Sequence, residues 1–291
     1  RPRAAAAAAL LASCSRVRGG GHLSKLPQKV AFQVENRYPH DPRCFTEGIF
    51  LNESEPVVYE SCGLYNQSDI RKYVLSTGQI LQRARLPNEI FAEGFAQLGG
   101  SLFALTYRER VIIEYDLTTF KELRRHPFLD GHKEGWGLTT DGCDLLATTG
   151  DSFIYRFRKN SEGILYLVNK VSVRLAGVAV RMLNELEYVT PKIWVHKWIT
   201  NQVYRVDPAS GEVEAYMDIG RVYRWRGDAT PNGVAYSARL DPGLLLVTGK
   251  LWPQLFALRV PPEGLCGGPA AALSAPACPS PPASACWPPA A

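Results

Sequence analysis

Between residues 28 and 260 the chain is built from short apolar runs separated by Gly, Pro, Asn and Asp, and the helical spacing i, i+3, i+4, i+7 is hard to find. The pattern predicts an all-β domain. Stacking the runs exposes a repeat, in which Glu47-Gly48-Ile49, Glu93-Gly94-Phe95, Trp136-Gly137-Leu138, Asn184-Glu185-Leu186 and Asn232-Gly233-Val234 each open a new cycle. The cycles are roughly 45 residues long, enough for one four-stranded blade each, so five cycles predict a five-bladed β-propeller.

Within each cycle a second apolar strand follows (56–59, 101–106, 144–149, 192–196, 243–248), then a third (70–74, 111–115, 153–157, 202–206, 254–260) and a polar turn such as Ser76-Thr77-Gly78 or Pro208-Ala209-Ser210-Gly211. A fourth strand returns only in the first four cycles. The fifth runs out at Val260, whereas an unassigned strand-like run, 28–34, precedes the first cycle. An N-terminal strand that completes the last blade would close the ring and leave no unpaired edge at the seam. The domain is expected to span 28–260, after a leader over 1–27 and before a disordered Pro/Ala-rich tail over 261–291.

The first strand of a propeller blade lines the central channel, so equivalent positions of the five cycles converge on one mouth. The first triplet position supplies Glu47, Glu93, Trp136, Asn184 and Asn232; the end of the second strand supplies Cys62, Tyr107, Gly150, Trp198 and Lys250. Phe45 and Phe91 stand two residues before the two glutamates. Carboxylates, amides and an ammonium among aromatic walls suit a small polar ligand. A Glu before Gly is most often a solvated turn residue and a lone Lys a surface charge, but turn residues have no reason to recur in register at one pole.

Composition narrows the alternatives. There are 33 Lys and Arg against 28 Asp and Glu, a net charge of +5; Arg1, Arg3, Arg16, Arg18 and Lys25 all precede the first acidic residue, Glu35, so the rest is nearly neutral and nucleic acid is excluded as a partner. The longest apolar run, 4–12, is about half a membrane span. With its flanking arginines the leader reads either as a clipped signal or single membrane segment, or as an alanine-rich low-complexity stretch. The seven cysteines show no zinc spacing, and the five histidines show no metal-hydrolase spacing; His196 reads as structural. Cys44 and Cys62, at the start of the first strand and the end of its antiparallel neighbour, are placed to bridge, with Cys143 expected to stay free. Asn52 and Asn66 head Asn-x-Ser sequons that carry glycans only in a secreted chain.

These blocks resemble the plant and bacterial type of glutaminyl cyclase, a five-bladed propeller family, from about Tyr38 to Val260. The resemblance is carried by Tyr38-Pro39-His40-Asp41-Pro42, Phe45-Thr46-Glu47-Gly48, Glu60-Ser61-Cys62-Gly63-Leu64-Tyr65, Phe91-Ala92-Glu93-Gly94, Glu134-Gly135-Trp136-Gly137-Leu138, Asn184-Glu185-Leu186-Glu187-Tyr188 and Val247-Thr248-Gly249-Lys250-Leu251-Trp252-Pro253. It implies cyclisation of N-terminal glutamine of peptides or proteins to pyroglutamate with release of ammonia. Glu93 would be the general acid/base, with Phe45, Glu47, Phe91, Tyr107, Trp136, Asn184, Trp198 and Lys250 lining the pocket. Plant forms usually carry Gln where Glu47 stands and Trp where Tyr107 stands, which bears on rate or side-chain preference. No cofactor for catalysis is implied, though a metal ion with a structural role in the channel is, its ligands unassigned. A monomer of the secretory pathway (endoplasmic reticulum, vacuole or extracellular) is expected.

The chemistry agrees on its own terms, since the reaction needs one group that takes a proton from the α-amine and returns one to the leaving ammonia. Two rivals remain: a propeller that only binds a peptide, or a lactonase-like enzyme in which Glu47, Glu93, Asn184 and Asn232 hold Ca²⁺.

Overall fold

The computed structural model describes residues 26–265 except Asp130. The chain forms five sheets around a central channel. Blade 1 is β3 (Thr46–Leu51), β4 (Val57–Cys62), β5 (Asp69–Val74) and β6 (Ile80–Arg85), and blade 2 is β7 (Ala92–Leu98), β8 (Ser101–Thr106), β9 (Val111–Asp116) and β10 (Glu122–Pro127). Blade 3 is β11 (Leu138–Thr140), β12 (Leu145–Ala147), β13 (Phe153–Lys159) and β14 (Leu165–Ser172). A small hairpin, β15 (Arg174–Leu175) with β16 (Val178–Ala179), precedes blade 4, which is β17 (Leu183–Val189), β18 (Lys192–Lys197), β19 (Gln202–Val206) and β20 (Val213–Asp218). Blade 5 is β21 (Pro231–Tyr236), β22 (Leu244–Gly249) and β23 (Gln254–Arg259), completed by β2 (Gln33–Pro39). The inner strands touch in the cyclic order β3, β7, β11, β17, β21, β3, and apolar clusters fill the spaces between neighbouring blades.

An N-terminal strand does close the last blade, but the closing strand is 33–39 rather than 28–34. Gln28–Lys29 (β1) pairs in parallel with β20 of blade 4, and Val30 and Phe32 pack between blades 4 and 5 before the chain crosses to β23. The alternation of 28–34 therefore reports burial between two sheets, not one face of one strand. His40, just after β2, locks the seam. Its Nδ1 faces the Trp252 carbonyl at 2.5 Å and its Nε2 the Glu60 carboxylate at 2.7 Å. Burial disfavours the imidazolium, but Glu60 outweighs it and raises the His40 pKa.

Cys44 and Cys62 are bridged as expected, whereas Cys143 is disulfide-bonded and not free. Within the segment read as tail, Pro262–Leu265 makes one helical turn (α1) with Leu265 fully buried. The leader up to residue 25 and the rest of the tail lie outside the described residues, among which no helix is long and apolar enough to cross a membrane.

Candidate active site

Four of the five repeated triplets are places where the inner strand slips register. The ladder breaks between Thr46 and Gly48, Ala92 and Phe95, Leu183 and Leu186, and Pro231 and Val234. Such a bulge re-aims a side chain out of the alternation of the strand. The glycines follow from crowding: a Cβ on Gly48, Gly94 or Gly137 would run into the backbone of the next blade. Blade 4 has Glu185 at this position, and its carboxylate crosses to accept the Val234 N–H of blade 5 at 2.7 Å.

Glu47, Glu93, Asn184 and Lys250 are buried, while Phe45, Phe91, Tyr107, Trp136 and Trp198 are half-buried. Polar groups thus form the floor and aromatic rings the rim. Lys250 Nζ donates to Glu47 Oε1 at 2.7 Å and lies 4.4 Å from the Phe45 ring centre; Asn232 Nδ2 donates to Glu47 Oε2 at 2.9 Å. Glu47 in turn shares a hydrogen bond with Glu93. Phe45 and Phe91 meet edge to face at 6.4 Å between ring centres, Phe91 and Tyr107 at 5.2 Å, and Trp136 and Trp198 at 5.3 Å. Asn184 Oδ1 is buried without a hydrogen-bond partner in the protein.

Burial raises both carboxyl pKa values. Lys250 and Asn232 restrain that of Glu47; Lys250 also acts on Glu93, but burial and the facing Glu47 charge outweigh it and hold Glu93 well above the carboxylate range. Of the two carboxyls, Glu93 therefore has the higher proton affinity.

Three residues of the site, Ser61, Gly63 and Glu134, stood in the recognised blocks without a role, and Gly150 was placed at the mouth by its register alone. Gly63 and Gly150 leave room, since a Cβ on Gly63 would strike the Phe91 ring and lie 2.9 Å from Glu47 Cγ, and one on Gly150 would lie 2.6 Å from the Trp136 ring. Ser61 Oγ donates to the Glu93 carbonyl at 2.5 Å. Glu134 accepts the Trp136 indole N–H at 3.2 Å and pairs with Arg108 at 2.9 Å. A signal for Glu134 exists, because it precedes its triplet by two residues, the place of Phe45 and Phe91 in their cycles.

The calcium arrangement is disfavoured because the Lys250 ammonium and the Asn232 amide already serve Glu47, the place a cation would take. A three-group cluster with metal-ligand chemistry does occur among the described residues, at His40, Cys44 and Glu60, but by the disulfide and not in the channel. It does not fit a metal, since the Cys44 sulfur is spent in the bridge to Cys62 and both His40 nitrogens are engaged. His196 is fully buried behind the site with its pKa lowered to about 4 by burial, in keeping with a structural role.

The sequence matches the glutamine cyclotransferase family model over residues 5–260. A curated glutaminyl-peptide cyclotransferase of Arabidopsis thaliana is 34% identical over 234 residues, which are 78% of this chain and 71% of that relative. The crystal structure of Myxococcus xanthus glutaminyl cyclase superposes with a TM-score of 0.71 at 30% identity, covering 80% of this chain and 98% of that one. On these matches and on the propeller they share, the chain belongs to the glutamine cyclotransferase family.

Proposed function

We propose that the protein is a glutaminyl-peptide cyclotransferase that closes the N-terminal glutamine of a peptide into pyroglutamate and releases ammonia. The observation that carries this reading is the buried Glu93–Glu47–Lys250 group beneath an aromatic rim. A carboxyl whose proton affinity is raised towards that of an α-amine exchanges a proton with it at small cost. In its ionised form Glu93 takes a proton from the α-ammonium, and the freed amine attacks the γ-amide carbon to form the ring C–N bond. Glu93 then delivers a proton to the departing nitrogen, the bond to it breaks, and ammonia leaves. The surplus proton on the ring nitrogen returns to Glu93 and leaves with the ammonia as ammonium, which restores the ionised carboxylate and balances the protons.

The remaining residues bind and orient. Phe45, Phe91, Tyr107, Trp136 and Trp198 flank the glutamine side chain and exclude water, with Glu134 and Arg108 steadying Trp136 and Tyr107 from outside. Lys250 and the Asn184 amide are the donors within the pocket for the amide oxygen as it gains charge. The test is ammonia release from a Gln-initiated peptide with loss of one ammonia from the product mass; a peptide that binds without turnover would favour the binding-platform reading.

The pairing of Cys44 with Cys62 and the bonded state of Cys143 support folding in an oxidising compartment, and we place the enzyme in the secretory pathway. Asn66 is exposed and Asn52 half-buried, so both sequons are open to a glycan. Glycosidase treatment of the secreted protein should raise its gel mobility, and unchanged mobility would count against this placement.

A further inference from the structure

Beside the mouth, on the outer side of blade 1, lies a pocket of about 260 Å³ lined by Arg43, Arg71, Arg83 and Arg85 against two acids, Asp41 and Asp69. Four guanidiniums face two carboxylates, and the carboxylates are saturated. Asp69 accepts from Arg71 Nε at 2.6 Å, Arg71 Nη2 at 2.7 Å and Arg83 Nη2 at 2.5 Å. Asp41 accepts from Arg71 Nη1 at 3.0 Å and from Arg43 Nε at 3.0 Å, and these cations hold its carboxyl well below the usual range although burial opposes them. Among the described residues, the Arg85 guanidinium bonds the Asn66 carbonyl at 2.8 Å. Donors on Arg43, Arg83 and Arg85 are left over, and the pocket keeps a surplus of two positive charges.

The wall between this pocket and the reaction centre is one residue thick. Gly63 lines the pocket, and its absent Cβ would lie against the Phe91 ring and 2.9 Å from Glu47 Cγ. A peptide whose first residue sits on Glu93 leaves the mouth in extended form at about 3.3 Å per residue, so its next side chains fall within reach of the arginines.

We propose that this pocket is a subsite for a carboxylate side chain of the substrate, so that the enzyme prefers Gln-initiated peptides with Asp or Glu at the second or third position. The proposal rests on the cyclotransferase reading. Guanidinium pairs with carboxylates bidentately and more strongly than neutral donors do, and in a partly enclosed pocket such contacts raise affinity chiefly through slower release.

The experiment compares kcat/KM for ammonia release from four-residue Gln peptides carrying Ala, Glu or Lys at position two or three, at low and high salt. Glu at one of these positions should raise kcat/KM about tenfold over Ala, mostly through KM, with Lys below Ala and the spread narrowing in high salt. Arg43→Glu, whose side chain is 84% exposed and so should fold, should erase the preference for Glu while leaving the Ala peptide unchanged. Arg83→Gln with an unchanged melting temperature should halve the effect or more. Equal rates for all peptides, or a preference untouched by both variants, would overturn the subsite. Inorganic phosphate that slows Glu peptides selectively agrees with it; phosphate that slows all peptides equally, with no preference for Glu, would assign the pocket to a free anion and overturn the proposal. No ammonia from any Gln peptide, the Ala peptide included, would overturn the cyclotransferase reading itself.

Discussion

Two pairs of glutamates stand on the inner strands, Glu47 with Glu93 at the mouth and Glu185 with Glu187 in blade 4, and all four are buried. Their surroundings differ. The second pair is met by fixed donors of neighbouring blades: Val234 N–H bonds Glu185 at 2.7 Å, Tyr236 N–H bonds Glu187 at 3.2 Å and the Thr139 hydroxyl bonds Glu187 at 2.8 Å. The first pair is met by the Lys250 ammonium and the Asn232 amide at Glu47 alone, and opens beneath half-buried rings. Burial raises proton affinity in both places, Glu187 up to about 8 and Glu93 well above its ordinary range. A displaced carboxyl pKa therefore does not by itself make an active site; access to a ligand and an unequal partner do.

The comparison breaks most visibly on Glu93. Glu93→Gln keeps shape but removes the proton acceptor, so kcat on a Gln-initiated peptide should fall by about 10² to 10⁴ with KM little changed, whereas Glu185→Gln should keep kcat near that of the parent. Steady-state kinetics on the two variants checks both. Lys250→Met should lower kcat and raise KM together, and because it strands the buried Glu47 it should also cost about 3–5 kcal/mol of stability, read by denaturant unfolding. A smaller effect sharpens the other half. Glu187 binds its proton more tightly folded than unfolded, so the folded state gains from low pH and loses stability as pH rises from the ordinary carboxylate range to about 8. Glu187→Gln should flatten that part of the melting temperature against pH and raise the melting point at its alkaline end by a few degrees, with turnover unaffected.

Much of this could be read from the chain. The triplets disclose the blades because four of the five admit no side chain at their centre: Gly48, Gly94 and Gly137 are fixed by contact with the backbone of the next blade, and Gly233 by Thr248, Ile49 and its positive φ. The same register brings Glu47, Glu93 and Lys250 together from blades 1, 2 and 5. Three things escaped. The split of the N-terminal run between blades 4 and 5 depends on packing between sheets, which looks like strand alternation at Val30 and Phe32. The hydrogen bond of Glu134 to Trp136 joins neighbours two residues apart in a loop, where no periodicity operates. Glu185 and Glu187 stood in a recognised block, but only the donors of other blades reveal that their carboxylates are held across the channel and not offered to a ligand.

The central claim is that the charge of Glu47, anchored by Lys250, raises the proton affinity of Glu93 and thereby sets the working range of the acid/base. The most direct measurement is kcat/KM against pH for the parent and for Glu47→Gln. The parent should show an acid limb above the ordinary carboxylate range. Removing the negative charge of Glu47 while leaving the Lys250 cation lowers the proton affinity of Glu93, so the limb in Glu47→Gln should move to lower pH while most of the plateau activity survives. An acid limb that stays in place in Glu47→Gln, or a Glu47→Gln variant that is inactive while Glu93→Gln keeps nearly full activity, would contradict the account.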